Sequence, residues 1–412
     1  MTTIPRTTPS TPKAVPAYRE PGYLRYTLGQ SASVLGDQVW YVALSWAAVQ
    51  LASPAVAGLV MTVSAVPRLI LMLFGGVFVD RFGPKRLMIG SDLVRAAVSL
   101  TAAAIALAAP GIPLLVAVAV VFGVVSAVFM PAAGAMGPLL LRDEQLSSGT
   151  ALRELSSRSA IILGAPLGGV LVAAGGLALA ALVDAATFLL SAVSLWALRP
   201  REVTRDASSA TGTVAALREG LSYLRGHRLL LTCMIVSLLA NLGFVGPMNV
   251  GLALVSQRNH WDASGIGVML AGFGAGAAIS AVILLRFTPR FRLGPVVAAG
   301  FLVQGATIIG MAVVPALWMA GVITVITGLT SGFMGVLLAT VMQANTGDAY
   351  RGRVSSVSTL INLGVTPLAM AVTGFAVGGL GLLHTFILCA ALSFAAGILA
   401  VTARCLRQAR LG

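Results

Sequence analysis

The sequence predicts an all-α membrane protein whose twelve transmembrane helices form two six-helix pseudo-repeat bundles. Composition gives the first reason: of the 412 residues, 58% are hydrophobic and 10% are charged, whereas soluble domains carry about 25% charged residues. The second reason is that apolar runs of about 20 residues recur along the chain, each long enough to cross a bilayer as a helix. The third is that basic residues concentrate in alternate loops.

Twelve apolar runs define the expected spans. Hydrophilic residues that follow the sixth run divide them into two groups of six. In chain order, the runs cover about residues 24–51, 55–79, 87–109, 112–140, 147–174, 178–198, 229–255, 264–286, 294–314, 317–342, 353–378 and 382–403.

The hydrophilic segments set the expected domain boundaries. Residues 1–22 are polar and proline-rich and lack the apolar region of a signal peptide, so we expect a disordered tail. Residues 199–228 are the longest hydrophilic stretch after that tail, and we interpret them as a linker. The first bundle is then expected at 23–198 and the second at 229–404, followed by a basic tail at 405–412.

The two halves echo each other. Phe129-Met130 is followed by a polar loop and by Pro166 in a glycine-rich segment. Phe333-Met334 is likewise followed by a polar loop and by Pro367. The copies lie about 200 residues apart, which is the spacing that a repeat of six spans predicts.

The net charge of +14 is explained by membrane topology rather than by nucleic-acid binding. Loops assigned to the opposite side carry only Arg258, so the positive-inside rule predicts both termini in the cytoplasm. Two lysines beside abundant arginine, alanine, valine and glycine are typical of a GC-rich bacterium, and the expected location is the inner membrane. The basic side carries Arg81, Lys85, Arg86, Arg142, Arg199, Arg201, Arg205, Arg218, Arg225, Arg228, Arg290, Arg292, Arg351, Arg404, Arg407 and Arg410.

Two charges fall near the middle of apolar spans. Asp37 and Arg68 would each cost about 2.5–3.5 kcal/mol at the centre of a membrane helix, so we expect both to have a function. Asp37 lies about 17 Å, and Arg68 about 18 Å, from the basic end of its span at 1.5 Å per residue. Adjacent antiparallel spans would therefore bring the two side chains together as an ion pair.

A polar stripe surrounds Asp37 on the first span. Its members are spaced i, i+3, i+7, i+11 and i+15, which places them on one helical face that must contact protein or water rather than lipid. Our functional interpretation is that Asp37 couples transport to protons or contacts substrate. The alternative is a static ion pair that fixes the first two spans. The stripe consists of Gln30, Ser33, Asp37, Tyr41 and Ser45.

Other spans carry weaker candidates. Asp184 in the sixth span could carry the proton, although a structural anchor on the outside of the bundle is the simpler reading. Arg158 in the fifth span, one turn after Glu154, is a further candidate for the cavity or the proton path. Cavity-lining candidates are Asn241, Asn249, Thr359, Asn362 and Thr366; ordinary hydrogen bonds between helices explain each of these equally well.

Residues 75–86, GGVFVDRFGPKR, close the second span. They resemble the loop 2–3 signature of the major facilitator superfamily, from which Pro84 is the main departure. The resemblance implies a conformational gate in which Asp80 contacts the basic end of span eleven and holds the outward-open state. We expect the gate to comprise Gly76, Asp80, Arg81, Gly83, Asp92, Arg95, Arg351 and Arg353.

Within that superfamily the chain resembles the drug-efflux branch that contains macrolide and siderophore exporters. The similar segments are FMPAA at 129–133, LSSGTAL at 146–152, VDAATFL at 183–189 and RGRV at 351–354. The segment GAPLGG in span five resembles the antiporter motif of exporters, with Ala165 inserted, and implies tight packing against span eight. Its members are Gly164, Pro166, Gly168 and Gly169.

Other chemistries lack a signature. The chain has no phosphate-binding P-loop, metal-ligand cluster or nucleophile elbow, so we expect neither an enzyme nor a cofactor beyond the proton gradient. The three cysteines are isolated, which argues against disulfides and metal binding.

The expected activity is efflux of amphipathic small molecules against inward proton flow, by alternating access of a monomer in the lipid bilayer. Two alternatives keep the fold: a dedicated exporter of one metabolite, such as a siderophore or a self-made antibiotic, and a solute importer. A receptor or scaffold and a membrane enzyme are the alternatives from other classes, and the short loops disfavour both.

Overall fold

The computed structural model describes residues 17–72, 74–201, 213–286, 293–347 and 350–408, and this part of the chain is helical throughout with no strand. A π-helical turn, Pro247–Gly251, joins α9 to α10. The helices are α1 (Pro21–Leu51), α2 (Pro54–Val63), α3 (Ala65–Met72), α4 (Gly75–Phe82), α5 (Pro84–Ala108), α6 (Ile112–Leu140), α7 (Leu146–Trp196), α8 (Thr213–Gly226), α9 (Arg228–Gly246), α10 (Leu252–Arg258), α11 (Asp262–Arg286), α12 (Leu293–Val313), α13 (Leu317–Ala344), α14 (Arg351–Leu380), α15 (Leu382–Thr402) and α16 (Arg404–Gln408).

Proline and glycine set many of the helix ends. Proline stands at the first position of α1, α2 and α5, where its missing N–H has no partner to lose. Gly83, with φ 79°, separates α4 from α5, and Gly381, with φ 81°, separates α14 from α15. Both glycines adopt a backbone conformation that other L-residues rarely take.

The helix α7 contains two membrane crossings. Its helical dihedrals break at Gly175 and Gly176, where φ is −150° and 64°. Both ends of α7 contact the same end of α1: the Tyr23 hydroxyl donates to the Gly149 carbonyl at 2.6 Å, and Gly29 packs against Ser194. The chain therefore reverses at the break, and residues 146–174 and 177–196 are antiparallel arms.

The twelve-span prediction is confirmed for the described chain. Ten helical segments are long and apolar enough to cross a membrane, α1 adds the more polar first span, and the second arm of α7 adds the sixth. The helices α2, α3 and α4 together form the second span, and α9, the π turn and α10 form the seventh.

Parts of the expected tails and linker lie outside the described residues, namely 1–16, 202–212 and 409–412. Where the structure describes the N-terminal segment, it is ordered: Ala17–Arg19 form a 3-10 turn, and Ala17 is fully buried. Within the expected tail, residues 17–22 are therefore structured. Linker residues Thr213–Gly226 form the helix α8.

The two bundles meet mainly through α2 with α14 and α7 with α11, and smaller contacts join α1 to α10 and α11 and α3 to α14. The contacts lie toward one side of the membrane, which we call the opposite face; the side of Gly83, Arg142 and Arg199 is the basic face. There Thr62 Oγ1 donates to the Pro367 carbonyl at 3.0 Å, and Gln257 Nε2 donates to the Val49 carbonyl at 2.6 Å. The bundles are thus closed against each other on the opposite face.

Toward the basic face, polar residues between the bundles are exposed instead of packed against the other bundle. On α14, Thr359 and Asn362 are exposed, whereas Pro367 and Met370, one to two turns further on, are buried against α2. Exposed polar groups at this depth must contact water rather than lipid. The space between the bundles therefore opens toward the basic face.

Candidate functional site

A cluster of charged side chains lies inside the first bundle. It is built from two helical ridges with the same spacing, i, i+3 and i+7, which puts each set on one face. The ridge on α5 carries Asp92, Arg95 and Ser99, and the ridge on the second arm of α7 carries Asp184, Thr187 and Ser191. Asp37 of α1 and Arg68 of α3 complete the cluster.

Arg95 is the centre of the cluster. Its Nη1 lies 3.7 Å from Asp37 Oδ2, and only 2% of the Arg95 side chain is exposed. The guanidinium also stacks on two aromatic rings, with Cζ 4.5 Å from the Phe129 centroid and 5.2 Å from the Phe188 centroid. Such cation–π contacts stabilise a buried cation that has few oxygen partners.

The expected Asp37–Arg68 ion pair is therefore corrected: the guanidinium within ion-pair distance of Asp37 belongs to Arg95. Arg68 remains near enough for its charge to act on Asp37 and Arg95, and its Nε is buried without a hydrogen-bond partner. The similar depths of Asp37 and Arg68 in the membrane were not enough to predict the ion pair, because the rotation of each helix about its axis decides which side chains meet.

Asp37 connects the cluster with the space between the bundles. Its side chain is 41% exposed although it lies mid-membrane. Tyr41, one turn further along the same face of α1, contacts Asn249 of the second bundle through its hydroxyl. Asp37 therefore points toward the second bundle, and its carboxylate is accessible from the open space.

Asp184 is fully buried within the first bundle rather than on its outside; its role as a structural anchor stays a prediction. Ser99 Oγ donates to Asp184 Oδ2 at 2.8 Å, while Oδ1 has no hydrogen-bond partner. Gly36 permits this arrangement, because a Cβ on Gly36 would lie 2.8 Å from Asp184 Oδ1 and 1.9 Å from Thr187 Oγ1. A glycine at this position lets α1 approach the acidic ridge.

Asp92 is also fully buried. Neither carboxylate oxygen has a hydrogen-bond partner; the Ser191 hydroxyl is adjacent but outside hydrogen-bonding geometry. Asp92 and Arg95 were expected to join the gate around Asp80, which is exposed at the basic face. The structure instead places both in the cluster, because their face of α5 turns toward α7 and α1.

The formal charges of the cluster do not balance. Three carboxyl groups, of Asp37, Asp92 and Asp184, face two guanidinium groups, of Arg68 and Arg95. Burying an unpaired charge in a membrane protein costs several kcal/mol. The cluster reaches neutrality when one carboxyl group takes up a proton.

Polar residues of the second bundle face the same open space. Asn241 Nδ2 donates to Asn362 Oδ1 at 3.1 Å, and the Thr366 hydroxyl donates to the Asn362 carbonyl at 2.9 Å. Asn241 of α9 lies about two turns before Asn249 of the π turn, and Asn249 contacts Tyr41 across the bundles. The amide pair therefore points toward the first bundle.

Arg158 is exposed on the first arm of α7. Its side chain is 73% accessible, and Nε lies 3.9 Å from Glu154 Oε2. Ile162, one turn further on, contacts Gly274 of α11, so this face of α7 is directed at the second bundle. Arg158 therefore lies beside the open space.

Three residues expected to line the cavity do so only in part or not at all. Ser33 is buried, with 1% of its surface exposed, and the Gln30 side-chain oxygen is buried without a partner. Both side chains lie within the first bundle, because the polar stripe follows a slowly turning line along α1 and only part of it faces the open space. Tyr41 lies instead in the closed contact with Asn249.

At the basic face, three of the expected gate residues lie at the α4–α5 turn. Asp80 and Arg81 are exposed on α4, and Gly83 forms the turn. Arg353 Nη1 lies 3.0 Å from Glu219 Oε2, so the linker helix α8 contacts the start of α14. The side-chain environments of Arg351 and Gly76 are not among those that the structure describes.

The glycine-rich segment of span five packs on two partners. Cβ atoms added at Gly164 and Gly168 would meet the α1 backbone at 2.8 Å and 3.0 Å. On the other side, a Cβ added at Gly169 would lie 3.0 Å from the Ala263 carbonyl oxygen, and one added at Gly267 would lie 3.1 Å from Pro166 Cα. Packing against span eight is thus present, through Gly267 and Gly274, whereas Gly272 and Gly276 face α13.

Twelve spans in two bundles, with a polar space between them and ionisable groups inside one, define a polytopic membrane transporter. The chain belongs to the Major Facilitator Superfamily, whose family description matches residues 26–366. The resemblance predicted from residues 75–86 is thereby confirmed.

Curated relatives and solved structures agree with this assignment. The chain is 25% identical to the multidrug efflux pump Tap of Mycobacterium bovis, over 90% of this chain and 91% of Tap. It is 23% identical to macrolide efflux protein A of Streptococcus pyogenes, over 76% of this chain and 78% of that protein. A crystal structure of the nucleoside transporter NupG shares the fold, with a TM-score of 0.72, 11% identity, and coverage of 93% of this chain and 98% of that chain.

Proposed function

We propose that this protein exports amphipathic small molecules across a bacterial inner membrane in exchange for protons. The observation that carries the proposal is the position of Asp37, half exposed to the open space and paired with an otherwise sealed Arg95. Relatives named as multidrug and macrolide efflux proteins support the export direction.

Arg95 links the accessible and the sealed carboxyl groups. When Asp37 is ionised, it pairs with Arg95. When Asp37 takes up a proton, its hold on Arg95 weakens, and the guanidinium is left to the sealed carboxyl groups of Asp184 and Asp92. A change of charge on Asp37 thus changes the electrostatic contacts that join α1, α5 and α7.

The observed conformation fits the cytoplasm-facing half of the cycle. Arginine-rich loops favour the cytoplasm for the basic face, and the space between the bundles opens there. In this state a proton leaves Asp37 toward the cytoplasm as the substrate enters. Rocking of the bundles then exposes Asp37 and the substrate to the outside.

The walls of the open space favour uncharged or singly charged amphipathic substrates. Glu154 lies 3.9 Å from both Arg158 and Arg153 and offsets part of their positive charge. Asn241 and Asn362 supply neutral hydrogen-bonding groups. A lipophilic substrate with one or two polar groups suits such a site.

The decisive experiment uses purified protein in liposomes with an imposed pH gradient and a lipophilic fluorescent dye such as ethidium. Asp37→Asn should abolish accumulation driven by the gradient while leaving folded yield and dye exchange without a gradient intact. Asp262→Asn is the matched control, because Asp262 is an exposed carboxylate outside the cluster with φ 54°, a conformation that asparagine tolerates. Gradient-driven transport at the wild-type rate in Asp37→Asn would refute proton coupling through this residue.

The exposure of Arg158 favours a second candidate function, a dedicated exporter of one anionic metabolite. An exposed guanidinium beside the open space can form a charge-assisted bond with a carboxylate or phosphate of the substrate. Arg158→Gln should then raise the KM of anionic substrates about tenfold or more and leave that of cationic dyes unchanged. Equal effects on both substrate classes would exclude it.

A further inference from the structure

A cleft of about 300 Å³ opens at the basic face of the first bundle, away from the charged cluster. It lies where α1 begins and where α6 and α7 end. Three arginines line it, Arg25, Arg199 and Arg201, together with Glu20 and Gly22. Because no lining residue belongs to the second bundle, the cleft does not require contact between the bundles.

The cleft carries a positive charge. All three arginine side chains are exposed, and none forms an ion pair with another residue in the described part of the chain. Glu20 is the acidic group on the wall, and its Oε1 accepts a hydrogen bond from Gln145 Nε2 at 3.2 Å. One carboxylate, of Glu20, against three guanidinium groups leaves the wall with a net charge of +2.

The start of α1 adds to this field. Its first backbone hydrogen bond runs from the Leu24 N–H to the Glu20 carbonyl, and the N-terminus has no side-chain cap. The N–H groups of the first turn and the positive end of the helix dipole therefore reinforce the arginines. Fixed positive groups around a cleft of this size suit a tetrahedral oxyanion.

The surroundings of the cleft are those of the membrane interface. Trp196, the last residue of α7, directly precedes the wall residue Ala197 and is 77% exposed, and Tyr18 near the start of α1 is 55% exposed. Aromatic side chains of this kind concentrate at the level of lipid headgroups. Leu139 and Leu140 give the cleft an apolar edge.

We infer that this cleft binds a phosphate group, and that the phosphate belongs to the headgroup of an anionic membrane phospholipid. Arg25, Arg199 and Arg201 would contact the phosphate oxygens, and the apolar edge would receive the glycerol end of an acyl chain. Basic pockets between membrane helices on the cytoplasmic side are suited to such headgroups. The bound lipid would join the first span to the fourth and sixth in every state of the transport cycle.

Two kinds of variant test the inference in the full-length protein. Arg25→Gln with Arg199→Gln removes charge, whereas Gly22→Leu fills the cleft and keeps the charge, since a Cβ on Gly22 meets no atom within 4 Å. Arg218→Gln with Arg225→Gln is the charge-matched control, because both arginines are exposed on α8 outside the cleft.

The measurement is lipid retention by native mass spectrometry in detergent, with phosphatidylglycerol, phosphatidylcholine and glycerol 3-phosphate as probes. We expect wild type and the α8 control to retain one phosphatidylglycerol selectively, and both cleft variants to retain it about tenfold or more weakly. Binding of glycerol 3-phosphate but not of phosphatidylglycerol, lost in the same variants, would keep the phosphate site but overturn the lipid as its occupant.

Two results would overturn the site itself. One is equal retention of phosphatidylglycerol by the cleft variants and the α8 control. The other is equal retention of phosphatidylcholine and phosphatidylglycerol by wild type. Thermal unfolding of each variant without added lipid shows whether it is folded, and Gly22→Leu keeps the test valid where loss of two arginines lowers the yield.

Discussion

The two bundles differ in where they keep their charges. Among the described residues, the fully buried charged side chains are Asp92, Arg95 and Asp184, and all three belong to the first bundle. The second bundle presents neutral amides, Asn241 and Asn362, to the same open space. The first bundle thus holds the buried ionisable groups and the second a neutral polar wall, so the proposed proton coupling is assigned to the first bundle.

The largest expected effect comes from removing the central cation. Arg95→Leu leaves Asp184 and Asp37 without their buried partner, and loss of one member of a buried ion pair costs about 3–5 kcal/mol. The yield of monodisperse protein and its thermal unfolding measure this. Adding Asp184→Asn should recover part of the loss, because one uncompensated charge is then removed.

The same substitution in the second bundle serves as the control. Arg258 is exposed and donates to the Ala312 carbonyl at 3.1 Å, so Arg258→Leu should cost only about 0.5–1.5 kcal/mol. If Arg95→Leu and Arg258→Leu lowered stability equally within experimental error, the two bundles would not differ in their dependence on a buried cation.

Next in size is the glycine that brings α1 to the acidic ridge. A Cβ at Gly36 would overlap Thr187 Oγ1, so Gly36→Ala should destabilise the protein by about 1–3 kcal/mol through overpacking. Gly364→Ala in α14 meets no atom within 4 Å and should be neutral or slightly stabilising. The denaturation midpoints of the two variants measure the difference in stability. Equal midpoints would show that α1 can move away from the acidic ridge without loss of stability.

A smaller effect is expected at the contact that closes the opposite face. Tyr41→Phe removes the hydroxyl that contacts Asn249, which should shift the equilibrium between conformations by about 0.5–1.5 kcal/mol, or roughly two- to tenfold. Distances between spin labels on the opposite face measure the shift.

Tyr23→Phe controls for the loss of a tyrosine hydroxyl. It removes the bond from Tyr23 to the Gly149 carbonyl, which lies within one bundle, so it should not alter the populations. If both variants changed the distance distribution alike, the contact between Tyr41 and Asn249 would have no gating role.

The smallest effect is expected for the exposed pair beside the open space. Glu154 and Arg158 are 54% and 73% accessible and 3.9 Å apart, so Glu154→Gln should change stability by at most about 0.2–1 kcal/mol. Glu144→Gln, at an exposed loop position, is the control for loss of one negative charge. A cost comparable to that of Arg95→Leu would mean that the open space is less hydrated than its exposure indicates.

Much of the fold was predictable because the bilayer imposes simple rules. Apolar length was enough to predict the twelve crossings. The segment at 75–86 was enough to predict the family. The two arms of α7 were likewise predicted as two separate spans. In the structure no loop separates them, because the helix continues up to Gly175 and Gly176 from both sides.

The composition of the cluster was only partly predictable. Asp37 was recognised from its depth, but Arg95 was assigned to the gate and Asp184 to the outside of the bundle. The spacing of Asp92, Arg95 and Ser99, and of Asp184 and Ser191, was a signal for two polar ridges. Without the distance between the helices, that signal did not show that the ridges face each other.

The sequence by itself determined the number of spans, the sidedness of the basic loops and the presence of costly charges within the membrane, since each follows from local transfer free energies along one chain. The tertiary structure decided which charges meet. Helix rotation and close approach at Gly36, Gly164 and Gly168 brought Arg95 rather than Arg68 within ion-pair distance of Asp37, and these contacts depend on packing among several helices at once.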